Sequence, residues 1–278
     1  MFTSLFKDAA RRFSKNTAIS KKILFHRDYQ RFQGGHLKVW HYYEHLKSTP
    51  NFKPYIYFTK NSIFDDTNPW LEEPLLNYWS PQEANALFLA GLDWLSIPDS
   101  VFNTSTFKKI PIINLIQGMT HSHSSDVKYG FLKYKAVRIC VSNEVEIALK
   151  ATKQVNGPLF TINNAIELPA WPQKNEFSKD IDILILGLKN PSLAMKLENY
   201  FKVRVNKVVS LITLIPRDDY LKHIGRSKVS IFLPMAEEGF YLPALEAMAL
   251  DSLIICPDVR GNRAFCIDNY NCLMPDYA

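Results

Sequence analysis

Two carboxylates with seven residues between them, Glu238 and Glu246, flank a point where the sequence turns from strand-like to helix-like. Ser227 to Pro234 (SKVSIFLP) ends in a short apolar run of strand type. Gly239 follows, a residue free to take tight backbone conformations that others avoid. A helix is expected from about Leu242, because Pro243 suits a first helical turn and Ala244 to Leu250 is rich in helix formers. The N–H groups of Gly239, Phe240, Tyr241 and Leu242 then point beyond the strand end with the positive end of the helix dipole behind them, which outlines an anion site. Glu238 before the helix and Glu246 about one turn inside it can accept hydrogen bonds from hydroxyls of a molecule whose phosphates those amides hold. A nucleotide-sugar carries that pattern of groups. The plainer alternative is that both glutamates favour the helix dipole and face solvent.

The elements that must position these residues alternate along the chain. Ile23 to His26, Tyr55 to Thr59, Ala86 to Ala90, Ile112 to Gln117, Val137 to Ser142 and Leu159 to Ile162 read as strands of a first half. Glu167 to Ser178 holds Pro169, Trp171 and Pro172 among polar residues and reads as a linker. Ile181 to Leu186, Val203 to Val205, Val229 to Leu233 and Leu253 to Cys256 are the strands of a second half. Strands alternating with helical stretches imply an α/β chain with parallel sheets: two Rossmann-like domains facing a cleft, over residues 23–168 and 179–278.

Composition is compatible with this. A chain of 278 residues, 47% hydrophobic, can bury two sizeable cores. Cys140, Cys256, Cys266 and Cys272 show neither a C-x-x-C pair nor a zinc spacing and read as reduced, mostly buried thiols of a cytoplasmic protein. No run approaches the length of a membrane span, and the charged start lacks a signal peptide's apolar core. The net charge of +6 is concentrated at the start: Lys7, Arg11, Arg12, Lys15, Lys21 and Lys22 oppose only Asp8 within residues 1–22. Phe2, Leu5, Phe6, Ala9 and Phe13 recur there at helical spacing, so such a helix either lies on an anionic membrane surface or packs its aromatics on the protein's own core. The remainder is nearly neutral and carries no nucleic-acid recognition motif.

The segment Glu237 to Ala249 (EEGFYLPALEAMA) resembles the Glu-x7-Glu motif of the retaining glycosyltransferases of family 4, which have the GT-B fold. The resemblance continues through Asp258 to Arg263 (DVRGNR) and Asp268 to Leu273 (DNYNCL), and upstream through Asp218 to Pro234. It is looser at Gly34-Gly35-His36, at Arg138 to Ser142 and at Thr161 to Ile166. The resemblance implies that Glu238 holds the transferred sugar and steadies developing positive charge, that Glu246 binds the ribose hydroxyls, and that the amides of 239–242 meet the diphosphate. The family's diphosphate-binding arginine is absent from Gly187-Leu188-Lys189-Asn190, so Lys189 or Lys196 stands in as a point charge without arginine's bidentate fork. Tyr241 and Asp251 occupy positions usually held by glycine; a positive φ would be costly for the tyrosine and tolerable for the aspartate. Family members usually continue beyond the last motif, which makes this sequence a short form or one lacking that part.

Gly34, Gly35 and His36 resemble the family's acceptor or phosphate loop, and an ordinary turn is the alternative. Gln117 to Ser125 (QGMTHSHSS) brings His121 and His123 near the expected cleft; the resemblance implies that one of them, His121 foremost, hydrogen-bonds the donor sugar. A His-x-His metal pair is less favoured, with Asp126 the sole nearby ligand in sequence. Asp180-Ile181-Asp182 spells an Asp-x-Asp string, read here as the opening of a buried strand. The expected activity is metal-independent, cofactor-free transfer from a nucleotide-sugar to a glycan or lipid-linked acceptor. The alternative is a catalytically silent GT-B protein that binds a glycan or a partner transferase.

Overall fold

The computed structural model describes residues 20–30, 34–168 and 177–276. The amphipathic segment expected over residues 1–22 and the linker around 167–178 therefore lie mostly outside the described residues. By compactness the chain divides into residues 1–114 and 115–278.

One sheet has the order β2-β1-β3-β4-β5-β6, with β1 Lys21–Arg27, β2 Phe52–Phe58, β3 Ala86–Ala90, β4 Ile112–Ile116, β5 Val137–Cys140 and β6 Leu159–Thr161. The second has β7 Ile181–Leu186, β8 Val208–Leu211, β9 Ser227–Phe232 and β10 Leu253–Ile255 in the order β10-β9-β7-β8. The registers of β1 with β2 and β3, of β5 with β6, and of β7 with β8 and β9 are all parallel. Taken from the β8 edge, the second sheet repeats the 2-1-3-4 order with which the first begins. That is the doubly wound arrangement, in which ligands bind outside the carboxyl ends of the strands where the order reverses.

In the first unit, the five residues of β3 (ALFLA) are all buried, as expected of a parallel strand covered on both faces. Helix α1 (Gly34–Ser48) lays Val39 and Tyr43 on this sheet. Phe25 stacks on Phe88 at 4.5 Å between ring centroids and meets Tyr43 edge-on at 5.3 Å. A short helix, α2 (Asp99–Phe102), follows β3.

In the second unit, Ser142 caps helix α3 (Asn143–Thr152), accepting from the Val145 N–H at 3.3 Å. Arg138 is fully buried and donates to five backbone carbonyls, those of Phe131, Leu132, Tyr134, Ala136 and Asn156, so a charged side chain holds the preceding turn. Strand β7 divides its apolar side chains between two cores. Ile183 and Ile185 pack with Ala194 and Leu197 of α4 (Pro191–Phe201). Leu184 and Leu186 pack with Leu221 and Ile224 of α5 (Arg217–Arg226) and with Ala244 and Ala247 of α6 (Leu242–Ala249). The period of two along the strand thus seats helices on both faces.

The sequence misplaces one strand. Val203 to Val205 is a turn, because the N–H groups of Arg204 and Val205 bond back to the Phe201 carbonyl at 2.8 and 3.1 Å and Val203 is 81% exposed. The strand forms at Val208–Leu211 instead. Tyr241 also departs from expectation: its φ is −90°, so the glycine-like conformation feared for it does not arise. Asp251 does take the left-handed conformation, at φ 56°. All four cysteines are free and buried. No helix among the described residues is long and apolar enough to cross a membrane.

Replacing Phe25 by Ala removes a fully buried ring from between Phe88 and Tyr43 and is expected to cost about 3–5 kcal/mol in urea unfolding. A loss under about 1 kcal/mol would contradict this packing.

Candidate functional site at the carboxyl ends of β7 and β9

Strands β7 and β9 run side by side, Leu186 against Phe232. Beyond β7 the chain passes Gly187, where a Cβ would come within 2.2 Å of the Ala194 Cβ, and reaches Lys189. Asn190 then caps α4, its side chain accepting from the Leu193 N–H at 3.2 Å. Beyond β9 the chain reaches Glu238, whose Oε1 pairs with Lys189 Nζ and also accepts from the Met235 N–H at 3.3 Å. The expected cation and the first expected carboxylate are therefore in contact. Lys189 Nζ also lies 5.5 Å from the centre of the Tyr241 ring.

Gly239 is required for space rather than for an unusual φ. A Cβ there would sit 2.2 Å from the Gln117 carbonyl oxygen and 2.8 Å from the Gly118 Cα, and the Gly239 carbonyl accepts from the Ser142 hydroxyl at 2.7 Å. Two of the four amides proposed for an anion are occupied. The Tyr241 N–H donates to the Gly261 carbonyl at 2.8 Å, and the Leu242 N–H to that of Phe240 at 3.1 Å. Gly261 itself approaches so closely that a Cβ would lie 2.5 Å from the Glu238 Cβ. The N–H groups of Gly239 and Phe240 have no acceptor among the described residues and remain for a ligand. Tyr241 is 4% exposed and meets Phe232 edge-on at 5.9 Å, so its side chain is core.

Glu246 belongs to a second cluster. It is 3% exposed, and Arg217, the first residue of α5, donates to its Oε1 at 2.6 Å. It does not face open solvent. The buried Tyr220 hydroxyl lies beside it, and burial first, then the Glu246 charge, drive that phenol well above its ordinary pKa. Sequence reasoning missed Arg217. The available signal was a carboxylate within an otherwise apolar helix, which must find a cation when buried.

His121 lies in the short 3-10 turn Met119–Ser122, 4% exposed, with both ring nitrogens buried and neither in a well-formed hydrogen bond among the described residues, the Gly118 backbone being the nearest polar influence. Burial, and to a lesser extent Lys128, push its pKa down to about 4. His123 is open and places Nε2 at 2.7 Å from Glu237 Oε2. It lines an open groove of about 580 Å³ together with Arg260, Arg263 and Glu144. Asp126 is instead tied to Lys128. Among the described residues, no group of three or more His, Cys, Asp and Glu side chains is arranged around a metal position. Asp180 pairs with Arg226 and Lys207, and Asp182 with Lys228, so the Asp-x-Asp string closes surface ion pairs where β7 begins. Lys196 is exposed on α4. In the first unit, Gly34, Gly35 and His36 form the opening of α1, and His36 Nδ1 lies 2.6 Å from Arg27 Nη2.

No protein-family model and no curated protein matches the sequence. Solved structures do match in shape. The Anabaena protein HepE, in complex with UDP-glucose, is similar with a TM-score of 0.61 at 10% identity, over 92% of this chain and 85% of that one. Sucrose-phosphate synthase from Thermosynechococcus elongatus gives 0.58 at 13% identity, over 92% and 86%. The fold is GT-B. TarM gives 0.51 at 15% identity over 69% of this chain and 44% of its own, so the present chain spans less than half the length of that neighbour. These structural neighbours are GT-B glycosyltransferases. At such identities the GT-B likeness fixes the fold, and the chemistry rests on the residues.

Because the folded state holds His121 neutral, its contribution to stability is complete above its unfolded pKa of 6.5 and is lost as pH falls towards 4. Relative to His121→Phe, the parent protein is expected to lose about 2 kcal/mol between pH 7 and pH 5. Parallel stability curves in urea unfolding would contradict the burial of this ring.

Proposed function

We propose that this chain is a retaining glycosyltransferase of the family 4 type, moving a sugar from a nucleotide-sugar to a glycan or lipid-linked acceptor in cell-surface polysaccharide synthesis. The observation that carries this reading is the convergence of Lys189, Glu238 and the unoccupied amides of Gly239 and Phe240 at the carboxyl ends of two adjacent parallel strands. A diphosphate needs cationic and N–H donors, and a transferred sugar needs a carboxylate beside them. In this reading the diphosphate draws Lys189 and the two amides, with the α6 dipole behind them, and Glu238 turns its carboxylate to the sugar. The leaving charge then meets preorganised dipoles and a cation without recourse to a metal. Glu246, held through Oε1 by Arg217, offers Oε2 to the ribose hydroxyls. HepE binding UDP-glucose is in keeping with such a donor. Action from the cytoplasm at the inner membrane face, through the basic segment 1–22, belongs to the same proposal.

One observation favours a silent binding protein instead: Glu246 is already buried against Arg217 and Lys189 already paired with Glu238, so the donor ligands are satisfied without a donor.

Thermal unfolding with UDP, GDP, TDP, ADP and CDP is expected to show stabilisation by one of them, abolished in Glu246→Ala. No shift with any would favour the silent reading. Lys189→Met is expected to weaken the selected nucleoside diphosphate about tenfold, near 1.4 kcal/mol, while leaving the unphosphorylated nucleoside unaffected. An equal loss for both would remove Lys189 from the diphosphate.

A further inference from the structure

Cys266 and Cys272 bracket a turn in the second unit that the candidate site does not use. Both are 6% exposed and belong to the core on which α5 and α6 pack, whereas the residues between them, Ile267 to Asn271, are all exposed. The Asn269 N–H closes the turn on the Cys272 carbonyl at 2.9 Å, and the N–H groups of Tyr270 and Asn271 both meet the Ile267 carbonyl at 3.1 Å. The Asn271 side chain adds two ties, accepting from the Ile267 N–H at 2.8 Å and donating to the Phe265 carbonyl at 2.9 Å. This closure brings the two sulfurs together. The Cys266 thiol donates to the Cys272 sulfur, and Cys272 in turn donates to the Leu273 carbonyl at 3.4 Å.

Two thiols in contact, one donating to the other, are unequal. The bond from Cys266 favours the thiolate of Cys272 and lowers its pKa, while the same bond, and then burial, push the Cys266 thiol up. Burial takes the Cys140 and Cys256 thiols up to about 12, and both are fully buried. Cys272 is therefore the best nucleophile of the four, with a second thiol within its reach. We propose that Cys266 and Cys272 form a dithiol redox site, which a hydroperoxide converts reversibly to a disulfide. The Cys272 thiolate attacks one peroxide oxygen and the O–O bond breaks, leaving a sulfenic acid and a hydroxide that takes up the proton Cys272 released. The Cys266 sulfur then attacks the Cys272 sulfur, and the hydroxyl leaves as water with the Cys266 proton. The protein gives up a hydrogen from each thiol, and hydrogen peroxide is reduced to water. A dithiol reductant reverses the step by exchange. Access comes from the turn itself, because local opening of a short exposed segment uncovers both sulfurs without parting the core.

The turn is also tied to the loop beside Glu238. The Cys266 N–H donates to the Asn262 carbonyl at 2.8 Å, and the buried Asn262 side chain accepts from the Val259 N–H at 3.2 Å and donates to the Pro257 carbonyl at 2.8 Å. Neighbouring Gly261 supplies the carbonyl that binds the Tyr241 N–H and the backbone that presses on Glu238. Replacing the hydrogen bond between the sulfurs by a covalent one draws Cys266 towards Cys272 and shifts the support of that loop. Control of sugar transfer by this bond rests on the reading of the loop as part of a donor site.

Peptide mapping of the full chain, reduced and then treated with hydrogen peroxide, decides it. A Cys266–Cys272 crosslink that dithiothreitol removes is expected, with Cys140 and Cys256 still open to alkylation once the protein is unfolded. No crosslink, or one that includes Cys256 or Cys140, would overturn the proposal. In Cys266→Ser the sulfenic acid is expected to persist on Cys272, where dimedone traps it, whereas Cys272→Ser yields no adduct on Cys266. An adduct on Cys266, or none on Cys272, would reject Cys272 as the attacking sulfur. Should either variant not fold, the order of alkylation in the folded parent replaces it: Cys272 is expected to react with iodoacetamide before Cys266, and equal rates would reject the assignment. Hydrogen exchange at the Tyr241 amide is expected to quicken in the oxidised protein, and unchanged exchange would detach the dithiol from the Glu238 loop. The crosslink is read without any nucleotide, so its failure leaves the transferase reading standing, and the failure of nucleotide binding leaves the crosslink standing.

Discussion

Between β7 and β9 the chain leaves the sheet in opposite directions, and the candidate site depends on that divergence. The crossover from β7 through α4 to β8 covers one face, and that from β9 through α6 to β10 covers the other. Connections that part company to opposite faces leave an opening above the strand ends. Lys189 enters it from one strand and Glu238 from the other. The packing of β7 enforces this, since its alternate residues bind helices on both sides and resist tilting of either.

Close backbone approach fixes the rest of the site. Gly239 against Gln117 and Gly118, and Gly261 against Glu238, are contacts that a single added carbon would break. They hold the loop so that two amides are consumed internally and two are left. Glu246 follows a different logic, because a carboxylate this buried persists only when paired, and Arg217 meets that need. The second unit thus combines an open, polar cluster around Glu238 with a closed one around Glu246.

Much of this was legible in the sequence, for identifiable reasons. Apolar runs such as Ala86–Ala90 and Ile181–Leu186 announced buried parallel strands because five or six mostly apolar residues are the length of a strand and too short for a buried helix. Pro243 and the alanines after it set the start of α6, and Asp251 marked a left-handed residue. Val203 to Val205 misled because two valines separated by an arginine mimic a half-buried strand, whereas the end of α4 captures the amides of Arg204 and Val205. Pairings between distant residues were not legible. Lys189 with Glu238, Arg217 with Glu246 and Arg27 with His36 and Asp93 each join different loops or helix ends, and only the folded backbone sets such distances. The burial of His121 is of the same kind, since neighbouring His123 has the same sequence context and the opposite environment.

Amide hydrogen exchange with and without a saturating nucleoside diphosphate tests the central claim most directly, because it reads the groups said to hold the phosphates. Slowed exchange at Gly239 and Phe240 is predicted, with Tyr241 already protected by its bond to Gly261 in the free protein. A nucleotide that stabilises the protein while leaving Gly239 and Phe240 unprotected, or that protects only residues away from β7 and β9, would contradict the account.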